Sequence, residues 1–310
     1  TPVEFSIALD HGRAPTLRLL GETVSSQPGA TTNLRAAHEL LYSLADRYDV
    51  NLDRFHHVKD LFTPENPQGK FSMWYSLVFP PGRRPSFKIY FNTDVRGTAN
   101  AAPLVAEALT RLGLHGAYET LLAHAVRRGQ LGAADRFSFF ALDLHKGPKS
   151  RVKVYMSHDD AESHDMVRAA AAVPGIDTTQ ADRFCSLVGG GSGPFDTLPL
   201  VSSYNFVQGD SFRPSTYSLY VPIRGYVSDD AVARHRVAEM VREYGFDRSV
   251  IDRGIAACTT RRLDEGVGLI AHASLRLGAG RPGVTVYLSS EAYRVTPALV
   301  SSATHGHPCT

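Results

Sequence analysis

This sequence has few cysteines and no long apolar run. Its 310 residues include only three cysteines, Cys185, Cys258 and Cys309, which lie far apart and show neither CxxC nor Cys/His ligand spacing. Neither a disulfide framework nor a zinc site is therefore indicated, and a reducing cytoplasm fits best. No apolar run approaches the ~20 residues of a membrane helix, and no signal-peptide pattern is present. We expect a cytoplasmic protein that does not act at a membrane.

An excess of either charge is also missing. The chain has 33 basic and 31 acidic residues and a formal net charge of +2, with 43% hydrophobic residues. This composition excludes disordered and coiled-coil proteins, and the charge balance gives no global field for binding nucleic acid. Any bound anion must be held by a local cluster of cations. The preference for arginine over lysine suggests a GC-rich bacterial source, and the start at Thr1 leaves room for residues upstream.

A repeat of about 65 residues runs through the chain. Four β-like segments, SFKIYFN, SRVKVYMS, TYSLYVPI and VTVYLSS, resemble one another. Their tyrosines are separated by 65, 65 and 67 residues and are Tyr90, Tyr155, Tyr220 and Tyr287. A fifth segment, TLRLLGE, places Arg18 seventy residues before Lys88. The chain is therefore predicted to repeat one structural unit.

Each of the five segments follows a second β-rich run across a turn, which predicts five hairpins, and the links between hairpins have helical periodicity. Closure of the sheet into a barrel would remove its edges. The predicted fold class is α+β, a ten-stranded antiparallel β-barrel surrounded by helices and built from five αββα repeats. We expect a single domain over residues 1–310, with two α+β halves as the alternative.

Alternation along the strands separates a polar, aromatic face from an apolar one. In SRVKVYMS, Arg151, Lys153 and Tyr155 share one face and the valines share the other. In SFKIYFN, Lys88 and Tyr90 are opposed in the same way to isoleucine and phenylalanine. Helices would cover the apolar face, so the polar face is predicted to line the barrel lumen. The alternative is an open sheet whose polar face meets solvent.

The predicted lumen contains a positive cluster beside the tyrosines. Its cations are Arg18, Lys88, Arg151 and Lys153, joined by Arg281 if the last strand starts early. Arginine offers a fork of donors and lysine a point charge, so a diphosphate is a natural occupant. Tyrosine faces stabilise a nearby cation. An anion clamp beside an aromatic cage suits the ionisation of an allylic diphosphate.

The motifs VEFS, LRLLGE, KIYFN, RVKVY, SLYVPI and VTVYLSSEAY resemble those of aromatic prenyltransferases of the dimethylallyltryptophan synthase type, especially the shorter bacterial indole prenyltransferases. The resemblance covers essentially the whole chain. It implies the αββα (ABBA) fold, also called the PT barrel, and a metal-independent Friedel–Crafts alkylation in secondary metabolism. The acceptor would be tryptophan or a tryptophan-derived alkaloid or peptide. Dimethylallyl diphosphate or a longer prenyl diphosphate would be a co-substrate, with no cofactor.

The resemblance also implies roles for individual residues. Glu4 would accept a hydrogen bond from the indole N–H, the four cations would bind the diphosphate, and the four tyrosines would shield the carbocation. Ser218 stands where the family has a glutamine, two residues before Tyr220. The strand FSMWYSLVF lacks the lysine of fungal members that prenylate C4, which leaves Glu4, a histidine such as His57 and pyrophosphate as candidate proton acceptors. Trp74 in that strand is a candidate to stack on the acceptor, with core packing as the alternative.

Other motifs favour structural roles. The pairs Asp159-Asp160 and Asp229-Asp230 do not continue as the magnesium motif DDxxD, and we expect both to cap helices. The glycine run at 189–193 lacks the context of a phosphate-binding loop and is expected to be an ordinary loop. Two alternatives stay open for function: a phenol or naphthalene prenyltransferase of the same fold, and a non-catalytic carrier of a prenyl phosphate, which would not need Glu4. A monomer and a homodimer both remain possible.

Overall fold

The computed structural model of the chain describes residues 3–127, 129–131 and 133–299, and ten long antiparallel strands dominate it. The strands are β1 (Val3–Leu9), β2 (Thr16–Glu22), β3 (Met73–Phe79), β4 (Ser86–Asn92), β5 (Asp135–Asp143), β6 (Val152–His158), β7 (Leu200–Phe206), β8 (Thr216–Val221), β9 (Gly266–Val267), β10 (Ile270–Gly278), β11 (Gly283–Ser289) and β12 (Thr296–Pro297). The two-residue strands β9 and β12 pair with each other, and the other ten form a closed barrel in which β1 pairs with β11. The predicted ten-stranded barrel is confirmed.

Two α-helices lie in each of the four links between consecutive hairpins. They are α1 (Ala30–Arg47), α2 (Asp53–Phe62), α3 (Ala101–Arg111), α4 (Ala117–Ala125), α5 (Ser163–Ala170), α6 (Thr179–Phe184), α7 (Asp230–Glu243) and α8 (Ser249–Cys258). Short 3-10 turns cover Thr93–Arg96, Thr98–Asn100, Ile223–Gly225 and Leu263–Glu265, and a π-turn covers Cys185–Gly189. The helical pattern of the sequence did not reveal α2 or α6. Among the described residues, no helix is both long and apolar enough to span a bilayer.

The hydrophobic core lies between the helices and the outer face of the barrel. Ile89 and Phe91 of β4 are almost fully buried, as is Val154 of β6. Phe62 of α2 stacks on Phe91 with ring centroids 4.5 Å apart, and it also stacks on Phe140 of β5. Burial of each such side chain contributes roughly 1.5–3 kcal/mol to folding. The polar partners on the same strands therefore face the lumen.

The prediction that each aspartate pair lies at the start of a helix is correct for Asp229-Asp230, because Asp230 lies in the first turn of α7 directly after Asp229. Asp229 caps α7, because its side chain accepts a hydrogen bond from the Val232 N–H at 2.9 Å. The expectation for Asp159 and Asp160 is wrong. The N-cap of α5 is Glu162, whereas Asp159 forms an ion pair with Arg136 on the adjacent strand.

Asp230 performs a different task from its neighbour. Its carboxylate is fully buried and accepts hydrogen bonds from the backbone N–H groups of Gly268, Leu269 and Ile270 at 3.0–3.2 Å. It also forms an ion pair with Arg261. Asp230 therefore fastens the start of β10 to α7.

Two further expectations concern a loop and the thiols. The glycine run at 189–193 follows the π-turn as a loop, and Ser192 accepts a hydrogen bond from the Ser163 N–H at 2.8 Å. Cys185 and Cys258 are free thiols, and Cys309 lies outside the described residues.

We expect Asp230→Ala to destabilise the protein far more than Asp229→Ala. Loss of the buried Asp230 carboxylate leaves three backbone N–H groups without their acceptor and leaves Arg261 with Glu291 as its remaining carboxylate partner, at a cost of about 3–5 kcal/mol. Loss of the Asp229 cap costs about 1 kcal/mol. Urea unfolding of both variants, followed by circular dichroism, measures the difference. Equal losses of unfolding free energy would contradict the tethering role of Asp230.

Candidate active site

Four cationic side chains converge inside the barrel. Arg18 lies on β2, Lys88 on β4 and Lys153 on β6, and Arg151 directly precedes β6. Lys88 and Lys153 are only 7% and 8% exposed. The Arg18 Nε atom is buried without a hydrogen-bond partner among the described residues, so this donor is free for a ligand. Burial lowers the pKa of Lys88, and the nearby charges of Arg151, Arg18 and Lys153 lower it further.

Arg281 does not belong to this cluster. The condition for its inward orientation, an early start of the last strand, is not met, because β11 begins at Gly283. Arg281 is exposed in the preceding turn, where its Nη2 atom lies 3.7 Å from the position that a Cβ on Gly245 would occupy. The inclusion of Arg281 in the lumen was therefore wrong.

A cation that the sequence analysis missed is Arg276 on β10. It pairs in register with Ser218 of β8 and Gly283 of β11. Its guanidinium forms an ion pair with Asp10. The signal was present in the sequence, since His272, Ser274 and Arg276 alternate along β10.

One carboxylate, that of Asp143, lies inside the cation cluster. Asp143 pairs in register with Lys88, and its Oδ1 atom is 3.3 Å from the Lys88 Nζ atom. Its Oδ2 atom accepts a hydrogen bond from the Arg151 Nε–H at 2.6 Å. Burial would raise the pKa of Asp143, but Lys88 and Arg151 hold it well below its usual range. Asp143 therefore stays ionised and is paired with two of the four cations.

The four repeated tyrosines form a row around the lumen. The ring centroids of Tyr90 and Tyr155 are 5.8 Å apart, those of Tyr155 and Tyr220 are 5.8 Å apart, and those of Tyr220 and Tyr287 are 5.9 Å apart. Burial, followed by the influence of Tyr220, raises the pKa of Tyr90 to about 12. Burial also raises the pKa of Tyr155 and Tyr287, so these three rings stay neutral, and the faces and hydroxyl groups of the row line one band of the barrel.

Lys153 connects the cation cluster to the tyrosine row. Its Nζ atom lies 4.8 Å from the centroid of the Tyr155 ring and donates a hydrogen bond to the Tyr220 hydroxyl at 3.3 Å. Burial opposes ionisation of Tyr220, yet the charge of Lys153 and its hydrogen bond lower the pKa of Tyr220 to about 8. Burial also lowers the pKa of Lys153. Lys153 and Tyr220 therefore each favour the charged form of the other.

A carboxylate and a histidine lie close together beyond the tyrosine row. The Glu4 Oε2 atom on β1 is 3.7 Å from the His272 Nδ1 atom on β10. The His272 ring meets Tyr287 edge-on at 6.2 Å. His272 follows a register shift between Ile270 and His272, and such bulges often aim a side chain into a site. The repeat pattern of the sequence did not point to His272.

Trp74 belongs to an aromatic cluster next to the same row. Its ring stacks on Phe71 with centroids 4.0 Å apart and lies 5.3 Å from Phe139. Phe139 in turn meets Tyr155 edge-on at 5.7 Å. Trp74 is half-buried and pairs in register with Tyr90, so it shares the lumen face. His57, by contrast, is exposed on α2.

The arrangement can hold an anion beside a cation without a metal ligand set. Within the ranges that the structure covers, no group of three or more His, Cys, Asp and Glu side chains could hold a metal ion. The family profile described as tryptophan dimethylallyltransferase matches residues 1–252. The chain belongs to this family.

Solved structures agree with this assignment. A 6-dimethylallyl tryptophan synthase has 53% identity and a TM-score of 0.92, with 97% of this chain and 84% of that chain covered. The 6-dimethylallyltryptophan synthase from Micromonospora olivasterospora, solved with DMASPP and Trp, has 55% identity and a TM-score of 0.92, with 96% and 84% covered. The 5-dimethylallyl tryptophan synthase from Streptomyces coelicolor has 36% identity and a TM-score of 0.87, with 98% and 83% covered. The expected indole prenyltransferase activity is confirmed.

A spectroscopic titration tests the pairing of Tyr220 with Lys153 in this tryptophan dimethylallyltransferase. We expect one of the 13 tyrosines to form phenolate with a pKa of about 8, visible as an ultraviolet absorbance step. Tyr220→Phe should remove the step. Lys153→Met should move it above the ordinary tyrosine pKa, because burial then acts without the opposing charge.

Tyr90→Phe is the matched control for this titration. Because the pKa of Tyr90 is about 12, its loss should leave the early step in place. An early step that survives in Tyr220→Phe would show that another tyrosine carries it.

Proposed function

We propose that this tryptophan dimethylallyltransferase joins the dimethylallyl group of dimethylallyl diphosphate to C6 of the indole of L-tryptophan, without a metal ion. The cation cluster beside the tyrosine row carries the proposal for the reaction. The position rests on similarity: identity is 53% and 55% with two 6-dimethylallyltryptophan synthases, but 36% with the 5-dimethylallyl synthase. Free tryptophan is preferred as acceptor because it is named in the complex of the 55%-identical relative.

The donor diphosphate would be held by Arg18, Lys88, Arg151 and Lys153. The free Nε atom of Arg18 supports this role, since a buried guanidinium donor without a partner is costly unless a ligand accepts from it. The C1–O bond of the donor breaks, and its electron pair stays on the diphosphate oxygen. The four cations stabilise that developing charge, which is the task that bound magnesium performs in other phosphate chemistry.

The tyrosine row would shield the allyl cation that this step creates. Lys153 already places its ammonium group 4.8 Å from the centre of the Tyr155 ring, so the row accepts a positive charge against its faces. The spacing of 5.8–5.9 Å between successive centroids makes the row continuous. A continuous aromatic wall keeps water from the cation while the indole attacks.

Glu4 and the aromatic cluster would orient the indole. We propose that the Glu4 carboxylate accepts a hydrogen bond from the indole N–H and that Trp74 and Phe139 line the side of the acceptor pocket. Glu4 lies near His272, which adjoins Tyr287, and Trp74 packs against Phe139, which adjoins Tyr155, so both side chains are near the tyrosine row. The allyl cation then forms its new bond with C6, which leaves an arenium ion that must lose the C6 proton.

We propose His272 as the acceptor of that proton. Its Nδ1 atom is 3.7 Å from the Glu4 Oε2 atom and its ring meets the Tyr287 ring edge-on, so His272 is next to both the proposed indole anchor and the proposed cation shield. A neutral imidazole takes the proton, and the electron pair of the C6–H bond restores the aromatic ring. The exposed position of His57 on α2 does not suit this role. Glu4 and pyrophosphate are the competing acceptors.

We further propose that one domain holds both substrate sites and that small molecules are its partners. The lumen brings the cation cluster and Glu4 together within the same closed sheet. The free thiols Cys185 and Cys258 suit a reducing cytoplasm. A monomer and a homodimer remain the two proposed states.

Deuterium at single ring positions tests the position of attack. Incubation with dimethylallyl diphosphate and tryptophan deuterated at C6, in EDTA, should give a prenylated product that has lost its deuterium. Tryptophan deuterated at C5 or C7 should keep it, because only the attacked carbon loses its hydrogen. Mass spectrometry reads both results. Retention of the C6 label would contradict the proposed position, and tight donor binding without any product would favour a carrier.

Chemical rescue tests the role of His272. We expect His272→Ala to lower turnover about 100-fold or more, since a positioned base contributes on that scale. Added imidazole should restore turnover in a saturable way. Glu4→Gln should raise the KM for tryptophan without any response to imidazole. If His272→Ala turns over at near-normal rate, Glu4 or pyrophosphate takes the proton.

A further inference from the structure

We infer that Asp143 is a positioning residue for the prenyl donor, which keeps Lys88 charged, holds Arg151 in place and sets the net charge of the diphosphate site. The inference rests on the proposed donor site. It concerns a residue with no role in the mechanism described above, although it lies within the cation cluster.

The contacts of Asp143 are directed almost entirely at cations. Its side chain is 2% exposed, and Oδ1 lies 3.3 Å from the Lys88 Nζ atom. Oδ2 accepts hydrogen bonds from the Arg151 Nε–H at 2.6 Å and from the Arg151 backbone N–H at 3.2 Å. The Arg151 Nη2 group donates to Oδ1 at 3.3 Å. Both carboxylate oxygens are therefore engaged, and Asp143 supports the cations without needing to touch the substrate.

Lys88 depends on this carboxylate for its charge. It is buried beside Arg18 of β2, Asp143 of β5, and Arg151 and Lys153 at β6. Burial lowers its pKa and the three cations lower it further, whereas Asp143 raises it. Arg151 keeps its charge in any environment, so Asp143 fixes its orientation instead. An uncharged lysine would offer a diphosphate much weaker hydrogen bonds.

The carboxylate also adjusts the charge of the site to its ligand. Four cations and one carboxylate leave three net positive charges, and a fully ionised prenyl diphosphate is a trianion. Arg54 and His145 also lie close enough to act on Asp143, but both are outside the four-cation cluster. Without the Asp143 charge, the site would be too positive while Lys88 is protonated. In such a site Lys88 would lose its proton at a lower pH than in the native protein, because Asp143 no longer raises the pKa of Lys88.

Pyrophosphate binding as a function of pH tests this inference. The full chain and its Asp143→Asn variant would be titrated calorimetrically with inorganic pyrophosphate from about pH 6.5 to about pH 9. Asp143 raises the pKa of Lys88, so Lys88 of the variant loses its proton first as the pH rises. The Kd of the variant for pyrophosphate, divided by that of the native protein, should be near or below one at the lowest pH. This ratio should increase at least tenfold towards the highest pH. Titration of free pyrophosphate is common to both proteins and cancels in the ratio, whereas the part due to the Lys153–Tyr220 pair is separated by a variant in which residue 88 does not titrate.

Two further variants separate the explanations. Asp264→Asn removes an exposed carboxylate paired with Arg262 and should leave the Kd unchanged at every pH. Lys88→Arg in the Asp143→Asn background should abolish the growth of the ratio, because arginine does not titrate in this range. A ratio that is the same at all pH values would mean that Asp143 is only structural and would overturn the inference.

Folding and native binding give the remaining outcomes. If Asp143→Asn does not fold, the double variant Lys88→Met/Asp143→Asn decides: a folded double variant supports the need to compensate Lys88, and an unfolded one overturns it. If the native protein does not bind pyrophosphate, the proposed donor site itself fails. That result is distinct from native binding with a pH-independent ratio, which rejects the role of Asp143 alone.

Discussion

The burial of positive charge inside a closed sheet is the constraint on which this structure depends. Desolvation lowers the pKa of both Lys88 and Lys153, so each lysine needs a compensating partner to stay charged. Asp143 supplies a full negative charge to Lys88, whereas the Tyr220 hydroxyl and the face of the Tyr155 ring stabilise the charge of Lys153. The barrel fixes these partners because each strand is hydrogen-bonded on both sides. The outer apolar face, packed under helices, provides the stability that lets the lumen remain polar.

The repeat explains why the tyrosines form an even row and where the row is open. Successive hairpins place their tyrosines at matching positions on neighbouring parts of the barrel, which gives nearly equal centroid spacings. The first hairpin differs, since two residues after Arg18 it has Leu20 in place of a tyrosine. Leu20 pairs in register with Glu4. The aromatic row is therefore open next to Glu4, the carboxylate proposed to hold the indole. The acceptor can approach the cation from this side.

Strand alternation was enough to predict the lumen side chains, because its period of two holds wherever a sheet is half covered. It identified Lys88, Lys153 and the tyrosines from sequence alone. It failed at Arg281, because the strand boundary lies two residues later than that assignment required. Asp143 and His272 satisfied the same alternation but were passed over, since β5 and β10 read as mostly apolar strands. Each of the two acts through contacts with residues on other strands, as Asp143 does with Lys88, whose Nζ atom is 3.3 Å from the Asp143 Oδ1 atom. A pattern within one strand does not contain such contacts.

The two lysines occupy equivalent places, each two residues before a tyrosine, and their size matters there. An ammonium group is compact enough to approach a ring face on the same strand, as Lys153 does with Tyr155. A guanidinium at that position would spread its charge over a larger planar group. Lysine therefore suits the boundary between the anion site and the aromatic wall, but it can lose its proton when it is desolvated. The exclusion of water that protects an allyl cation thus also favours the uncharged form of the lysines that hold its leaving group. An internal carboxylate resolves this conflict, because Asp143 maintains charge without admitting solvent.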